Sequence, residues 1–444
     1  MVAPRAQWNS KLGFILASAG AAVGLGNLWK FPYIAGENGG GVFILAYLAC
    51  VVFIGLPLMA GEIIIGRATQ KSPVGAIQAL THKGSFWVSF GWLTIAAAAS
   101  LLSYYSVIAG WAMYYAFMSV TGELTAAGTV YEDVFNATQA SGATNLFWHA
   151  AFMALTIAVV LGGVSKGLDR WSRILMPALL IMLSGLVVHS LFLEGFGRGF
   201  EFGIGIRPDE FRATSMLAAV GQAFFSLSIG MGTMLTYGSY LKRDDDIMGA
   251  SIQICALDTV VALMGCLVIF PIIFTYPELE PGQGPGLLFA SIPTGMAQMP
   301  FAGLLLTVFF FLLVFAALTS AISLLEVPVS FLIDRFGWTR KKAAVVAGGA
   351  IFLYGVPSAL SGIEGGLFSG FIWQLDGIVS NYMFPLSGIG LSLFVGWRMP
   401  DTLRHDHFLS GSKFKVFYKA WLTLLRFVVP VGIAVVFLNA IGVV

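Results

Sequence analysis

Stretches of about 20 apolar residues, each long enough to cross ~30 Å of hydrocarbon, recur from one end of this 444-residue chain to the other, with short polar joints between them. A backbone in hydrocarbon has no water to bond, so such stretches fold as helices that satisfy their own N–H and C=O groups. A charged fraction of 10% and a mean hydropathy of +0.86 exclude a soluble protein, and the joints are too short to hold a soluble domain. Eleven helices are read, at about 12–35, 41–66, 87–120, 147–163, 171–193, 213–240, 247–276, 301–335, 341–361, 368–396 and 415–441. They are numbered 1 to 11 below. The opening MVAPRAQWNS lacks the layout of a signal peptide, so helix 1 is expected to be retained. The three cysteines, Cys50, Cys255 and Cys266, lie inside apolar stretches, and no structural disulfide is expected.

Charge orients the bundle. Nineteen of the 24 basic residues fall in the joints of one side, Arg5 and Lys11 among them, while the opposite joints hold only Arg198, Arg207 and Arg212. Lys30 and Arg426 lie within helices. The positive-inside rule then places the N-terminus in the cytoplasm and, with an odd helix count, the C-terminus outside. The sequon Asn136-Ala137-Thr138 falls on the external side and is read as an ordinary loop. The net charge of +2 gives no cause to expect a nucleic-acid partner. The expected partners are the lipid bilayer and a small molecule, and the oligomeric state is left open.

Two helices carry small residues at mid-span. Helix 1 holds Ser18-Ala19-Gly20-Ala21-Ala22-Val23-Gly24-Leu25-Gly26-Asn27, and helix 6 holds Ser226-Leu227-Ser228-Ile229-Gly230-Met231-Gly232. Either stretch alone fits close helix packing. Interruptions in the first and sixth helices of a chain that divides five plus five indicate an inverted-repeat transporter. The repeats are expected at 12–193 and 213–396, with helix 11 (415–441) left over, all in one transporter domain spanning 1–444. Unwound backbone at membrane depth must line protein or a polar cavity, and its freed carbonyls and half-helix N-termini suit cations and carboxylates.

Trp8, the run Gly24-Leu25-Gly26-Asn27-Leu28-Trp29-Lys30-Phe31-Pro32 and Glu37-Asn38-Gly39-Gly40-Gly41 closely resemble the neurotransmitter:sodium symporter family. The likeness continues through Gly55-Leu56-Pro57-Leu58 with Glu62, Gly66 and Arg67, through Gln222 to Ser228, and through Ala316-Ala317-Leu318-Thr319-Ser320. Eleven helices resemble its prokaryotic branch, and so a bacterial inner membrane. This family is itself a type example of broken helices in inverted repeats, so the two lines of inference are not independent.

The resemblance implies two sodium ions. The first would take the carbonyl of Ala22, the side chains of Asn27, Ser226 and Asp258, and the substrate carboxylate. The second would take the carbonyls of Gly20, Val23 and Ala316 with the hydroxyls of Thr319 and Ser320, bridging helix 1 to helix 8. All are oxygen donors, as a hard cation requires. Thr319 and Ser320 alone would be read as hydroxyls bonded back to their own helix. Asp258 stands out without any family, because a carboxylate at the bilayer centre costs about 2.5–3.5 kcal/mol on insertion scales. Animal members carry Asn there and also use chloride. A fixed carboxylate at the sodium, with neutral Ala262 one turn on, implies chloride-independent transport.

The substrate carboxylate would meet the amides at Leu25-Gly26 and the Tyr105 hydroxyl. Its amine would meet carbonyls of Ala22, Phe225 and Ser226 and the Ser228 hydroxyl. Phe225 and Tyr105 would form a lid. Ala21, Leu25, Leu101, Met231, Ser320 and Leu324 would line an uncharged side-chain pocket suited to a large aliphatic or aromatic L-amino acid, since methionine repacks readily around rings. Arg5 and Asp334, with Trp8, match an inner gate, and Lys30 and Asp376 an outer one. Together these imply a sodium-coupled symporter working by alternating access.

An intramembrane enzyme would need a nucleophile or metal constellation, and HExxH, P-loop and CxxC patterns are absent. His405-Asp406-His407 is expected to be solvated in a cytoplasmic loop. A channel does not account for discrete ligand sets beside two broken helices.

Overall fold

A computed structural model describes residues 5–279 and 284–443, and the regular secondary structure among those residues is all helical. Among the described residues nine helices are long and apolar enough to cross a membrane: Gly41–Thr69, Val88–Thr121, Gly142–Leu161, Gly163–Ser190, Ile247–Thr275, Ala302–Phe336, Arg340–Ala359, Phe371–Arg398 and Lys415–Ala440. These correspond to expected helices 2 to 5 and 7 to 11. Helices 1 and 6 are missing from that set because each is cut into pieces too short to span.

Helix 1 starts at Lys11, where the Ser10 hydroxyl accepts from the Gly13 amide at 3.1 Å as an N-cap. It ends at Ala22, and Val23 and Gly24 are extended. A single turn, Leu25–Leu28, follows, and the C-terminal half resumes at Lys30–Glu37. Helix 6 runs as Ala213–Ser226 and restarts as Thr233–Gly238. Between them Ser228, Gly230 and Gly232 have φ of 51°, 80° and 72°. Left-handed backbone is easy for the two glycines but strained for Ser228, which stays there only if its surroundings hold it.

Helices 3 and 8 are the longest and form the buried centre; the N-terminal half of helix 1 packs between helices 5, 7 and 8, and its C-terminal half packs on helix 7. Helix 11 is the least buried of the nine.

The joints hold short helices absent from the sequence reading: Pro73–Ala79, Tyr131–Ala140, Phe196–Gly203, Ile292–Ala297 and Asp401–Leu409. They are too short to register in a membrane-length apolar window. Two expectations change with them. The Asn136 sequon lies on the helix Tyr131–Ala140 rather than in a loop, with the Thr138 hydroxyl buried and donating to the Val134 carbonyl at 2.7 Å. His405, Asp406 and His407 also lie on a helix, and His407 is buried. Helix 5 starts earlier than expected, with a π-helical stretch Gly163–Asp169 that leads into the regular helix Arg170–Ser190.

Candidate transport site

The two breaks lie side by side. The Ser228 hydroxyl donates to the Ala21 carbonyl at 2.8 Å, joining helix 6 to helix 1 and fixing the strained serine. Gly230 donates its amide to the buried Glu62 carboxylate at 2.6 Å, so helix 2 holds the unwound strand of helix 6 from behind. The sequence reading gave Glu62 no role beyond the motif.

Helix 8 meets the helix 1 break through oxygen atoms. The Ser320 hydroxyl lies 3.3 Å from the Gly20 carbonyl, 3.2 Å from that of Val23 and 3.3 Å from that of Ala316. Thr319 donates to the Ala316 and Phe315 carbonyls at 3.0 and 3.1 Å. The Phe315 and Ala316 carbonyls already accept helix 8 amides, so the carbonyls in excess are those of Gly20 and Val23 at the helix 1 break, and the one Ser320 proton can satisfy only one of them at a time. The excess of buried acceptors is chemically matched by a cation. Helices 1 and 8 approach closely at Gly20, where a Cβ would stand 3.0 Å from the Thr319 Cβ. Thr319 is thus back-bonded as its residue type suggests, whereas Ser320 bridges the two helices.

A second polar cluster surrounds Asp258 of helix 7, which is fully buried. One carboxylate oxygen accepts from the Asn27 amide at 2.7 Å; the other accepts from the hydroxyls of Ser226 at 2.7 Å and Tyr47 at 3.1 Å. Asn27 also donates to Ser226 at 3.1 Å, and its oxygen accepts the Gly24 amide at 3.0 Å. Four separate helices thus converge on one acid. Tyr47 was missed because a tyrosine in an apolar helix 2 carries no charge or motif to single it out.

Leu25, Gly26, Leu101, Tyr105 and Phe225 line a cavity of about 270 Å³ that continues past Lys30 and Asp376. The Leu25 amide faces the Tyr105 hydroxyl at 3.4 Å. A Cβ on Gly26 would come within 2.7 Å of the Phe225 ring, so glycine is what lets that ring lie across the break. Met231, Leu324, Ala21, Ala22, Ser226, Ser228 and Ser320 do not line this cavity; they pack, buried, beneath it.

The expected pairing of Lys30 with Asp376 is not formed. Lys30 Nζ stands 4.2 Å over the Phe225 ring, and Asp376 accepts from the hydroxyls of Tyr104 at 2.7 Å and Ser380 at 3.2 Å. Each group has taken a local partner while the cavity between them stays open. The other pair is joined: Arg5 bonds Asp334 and donates to the Ser239 hydroxyl at 2.8 Å. Trp8 is buried behind it, donating to the Tyr237 carbonyl at 3.0 Å and packing edge-on against that ring. A further tier, absent from the sequence reading, has Tyr240 donating to the buried Glu326 at 2.6 Å, which also pairs with Arg340. The basic side is sealed, and the opposite side is open to the breaks.

A model of the sodium:neurotransmitter symporter family matches residues 5–145 and 131–441. The chain belongs to that family. An uncharacterized sodium-dependent transporter of Bacillus subtilis, YhdH, is 38% identical over 98% of both chains. A mouse sodium- and chloride-dependent GABA transporter is 27% identical over 75% of this chain and 62% of its own. The crystal structure of MhsT in complex with L-phenylalanine superposes with a TM-score of 0.90 at 40% identity, covering 98% of this chain and all of that one. This symporter is thus a multi-pass, sodium-dependent membrane transporter and not an enzyme. One GxSxG string does occur, at 163–167, but it lies in the π-helical stretch and not on the strand-turn-helix that exposes a nucleophile. No cluster of three metal-ligating side chains occurs among the described residues, and His405-Asp406-His407 does not make one.

Proposed function

We propose that the protein is a sodium-coupled secondary symporter of a neutral, hydrophobic L-amino acid, large aliphatic or aromatic, that works by alternating access without chloride. The observation that carries this is the acceptor excess between helices 1 and 8, beside the carboxylate of Asp258 at the second break. The carbonyls of Gly20, Val23 and Ala316 with Thr319 and Ser320 form one sodium site. Ala22, Asn27, Ser226 and Asp258 form the other, for which the Asn27 amide turns to present its oxygen in place of the nitrogen that now faces Asp258.

The substrate carboxylate completes the Asp258 site, so sodium and substrate raise each other's affinity, as linkage requires. Its side chain lies among Ala21, Leu25, Leu101, Met231, Ser320 and Leu324, none of which carries a charge. A 40%-identical neighbour in complex with L-phenylalanine supports that class. With the basic side cytoplasmic, the joined Arg5–Asp334 pair and the separated Lys30 and Asp376 make this the outward-open arrangement. Closure brings Phe225 and Tyr105 over the substrate and Lys30 to Asp376. The bundle of helices 1 and 6 then rocks, and the Arg5–Asp334 pair opens.

Competition of labelled leucine uptake by tryptophan, glycine and glutamate tests the substrate class. Tryptophan is expected to compete; competition by glutamate alone contradicts the uncharged pocket.

A further inference from the structure

Arg207 lies in the joint between helices 5 and 6, on the side that carries few basic residues, and it joins two helix ends. The C-terminal half of helix 1 stops at Glu37 and the short helix Phe196–Gly203 stops at Gly203, and the last four carbonyls of any helix lack intrahelical partners. Arg207 Nη2 donates to the Gly36 carbonyl at 2.5 Å and to the Phe202 carbonyl at 2.7 Å, one from each helix. Its guanidinium stands 4.6 Å over the Phe202 ring, and Nη1 pairs with Glu210 at 2.5 Å. The backbones are joined alongside: Gly41 donates to the Gly205 carbonyl at 2.8 Å and Arg207 to that of Gly39 at 3.2 Å. Gly39 and Gly40 take φ of 90° and 59° to allow it.

The short helix is in turn seated on helix 7. A Cβ on Gly195 or Gly199 would lie within 2.5 Å of helix 7 backbone atoms, and one on Gly203 would lie 2.5 Å from the Phe270 ring. The fork of hydrogen bonds therefore links the half-helix that follows Asn27 to a short helix packed on the helix that carries Asp258.

We propose that Arg207 is a positioning residue for the sodium and substrate site: by capping both helix ends it holds the C-terminal half of helix 1 in register with helix 7, and so sets Asn27 against Asp258. The proposal rests on the Asn27–Asp258 cluster being a sodium site. A lysine is a point charge without the planar fork and serves the two carbonyls less well.

The test uses full-length protein in detergent, with labelled leucine binding titrated against sodium and normalised to the folded fraction. Arg207→Gln should raise the sodium half-saturation by about tenfold, the scale of losing charge-assisted hydrogen bonds. Arg207→Lys should give an intermediate value. Glu210→Gln should match wild type, because Glu210 is largely exposed. Should Arg207→Gln fail to fold, Phe202→Leu removes the ring beneath the guanidinium and should still raise the half-saturation about threefold. Unchanged sodium dependence in folded Arg207→Gln or in Phe202→Leu overturns the proposal, as does reduced binding capacity with half-saturation unmoved. A wild type that binds leucine without sodium overturns the sodium-site reading instead.

Discussion

Ser320 has one proton and three carbonyls within 3.3 Å, and that imbalance is the strongest residue-level sign of a cation site. Thr319→Val keeps the volume and removes one oxygen. It should raise the sodium half-saturation for uptake about tenfold, since hydrogen-bonding groups facing charge are worth roughly 1.5–3 kcal/mol. Sodium titration of transport reads this directly, and an unchanged curve removes Thr319 from the site. Asp258→Asn should abolish sodium-dependent uptake in chloride-free buffer, because the amide cannot offset the ion's charge. Full uptake by that mutant contradicts the role given to Asp258. Asp258, Asn27, Arg5 and Asp334 were picked out in the sequence by a charge or a motif, whereas the buried Glu326 carries a charge and was missed. Tyr47, Ser239 and Tyr240 were not picked out, because a hydroxyl in an apolar stretch looks the same whether it packs or binds. Lys30 was expected to pair with Asp376 and instead lies over the Phe225 ring, a partner that no charge in the sequence points to.

At the scale of elements, the apolar runs placed seven helices to within three residues, because hydrocarbon leaves the backbone no other solution, while helices 4 and 5 start five and eight residues earlier than expected. The breaks were visible as small residues, and the left-handed Gly230 and Gly232 show why those residue types sit there. The short joint helices were not visible. Asp401–Leu409 is the instructive one: Arg67 at the end of helix 2 bonds the His407 carbonyl and reaches its Nδ1 at 3.3 Å, while Arg243 pairs with Asp406 at 2.6 Å. Burial, reinforced by the Arg67 charge, lowers the His407 pKa from an ordinary 6.5 to about 4. The unfolded chain thus binds a proton more readily than the folded one. Stability from this group is full above about pH 6.5 and declines as pH falls toward about 4. Thermal unfolding in detergent across that range should show a decline that His407→Gln reduces; identical pH profiles for the two proteins contradict it.

On the scale of the whole molecule, the structure is sealed by Arg5, Asp334 and Trp8 on the basic side and open past Lys30 and Asp376 on the other. Breaking the seal should shift the population toward the opposite arrangement, by as much as the pair favours the present one. Asp334→Ala should therefore increase labelling of a cysteine placed at Ser239 and decrease labelling of one placed at Ile34 in the cavity wall. Equal labelling with and without the pair would remove it as a gate. The family was legible from the motifs, and the overall fold followed from it. The present conformation was not, because a sequence specifies every state of the cycle at once.

Uptake of labelled L-phenylalanine into proteoliposomes, with an inward gradient of sodium gluconate, tests the central claim most directly. The account predicts saturable uptake in the absence of chloride that disappears when potassium replaces sodium. Equal uptake in potassium, or uptake that requires added chloride, would contradict it.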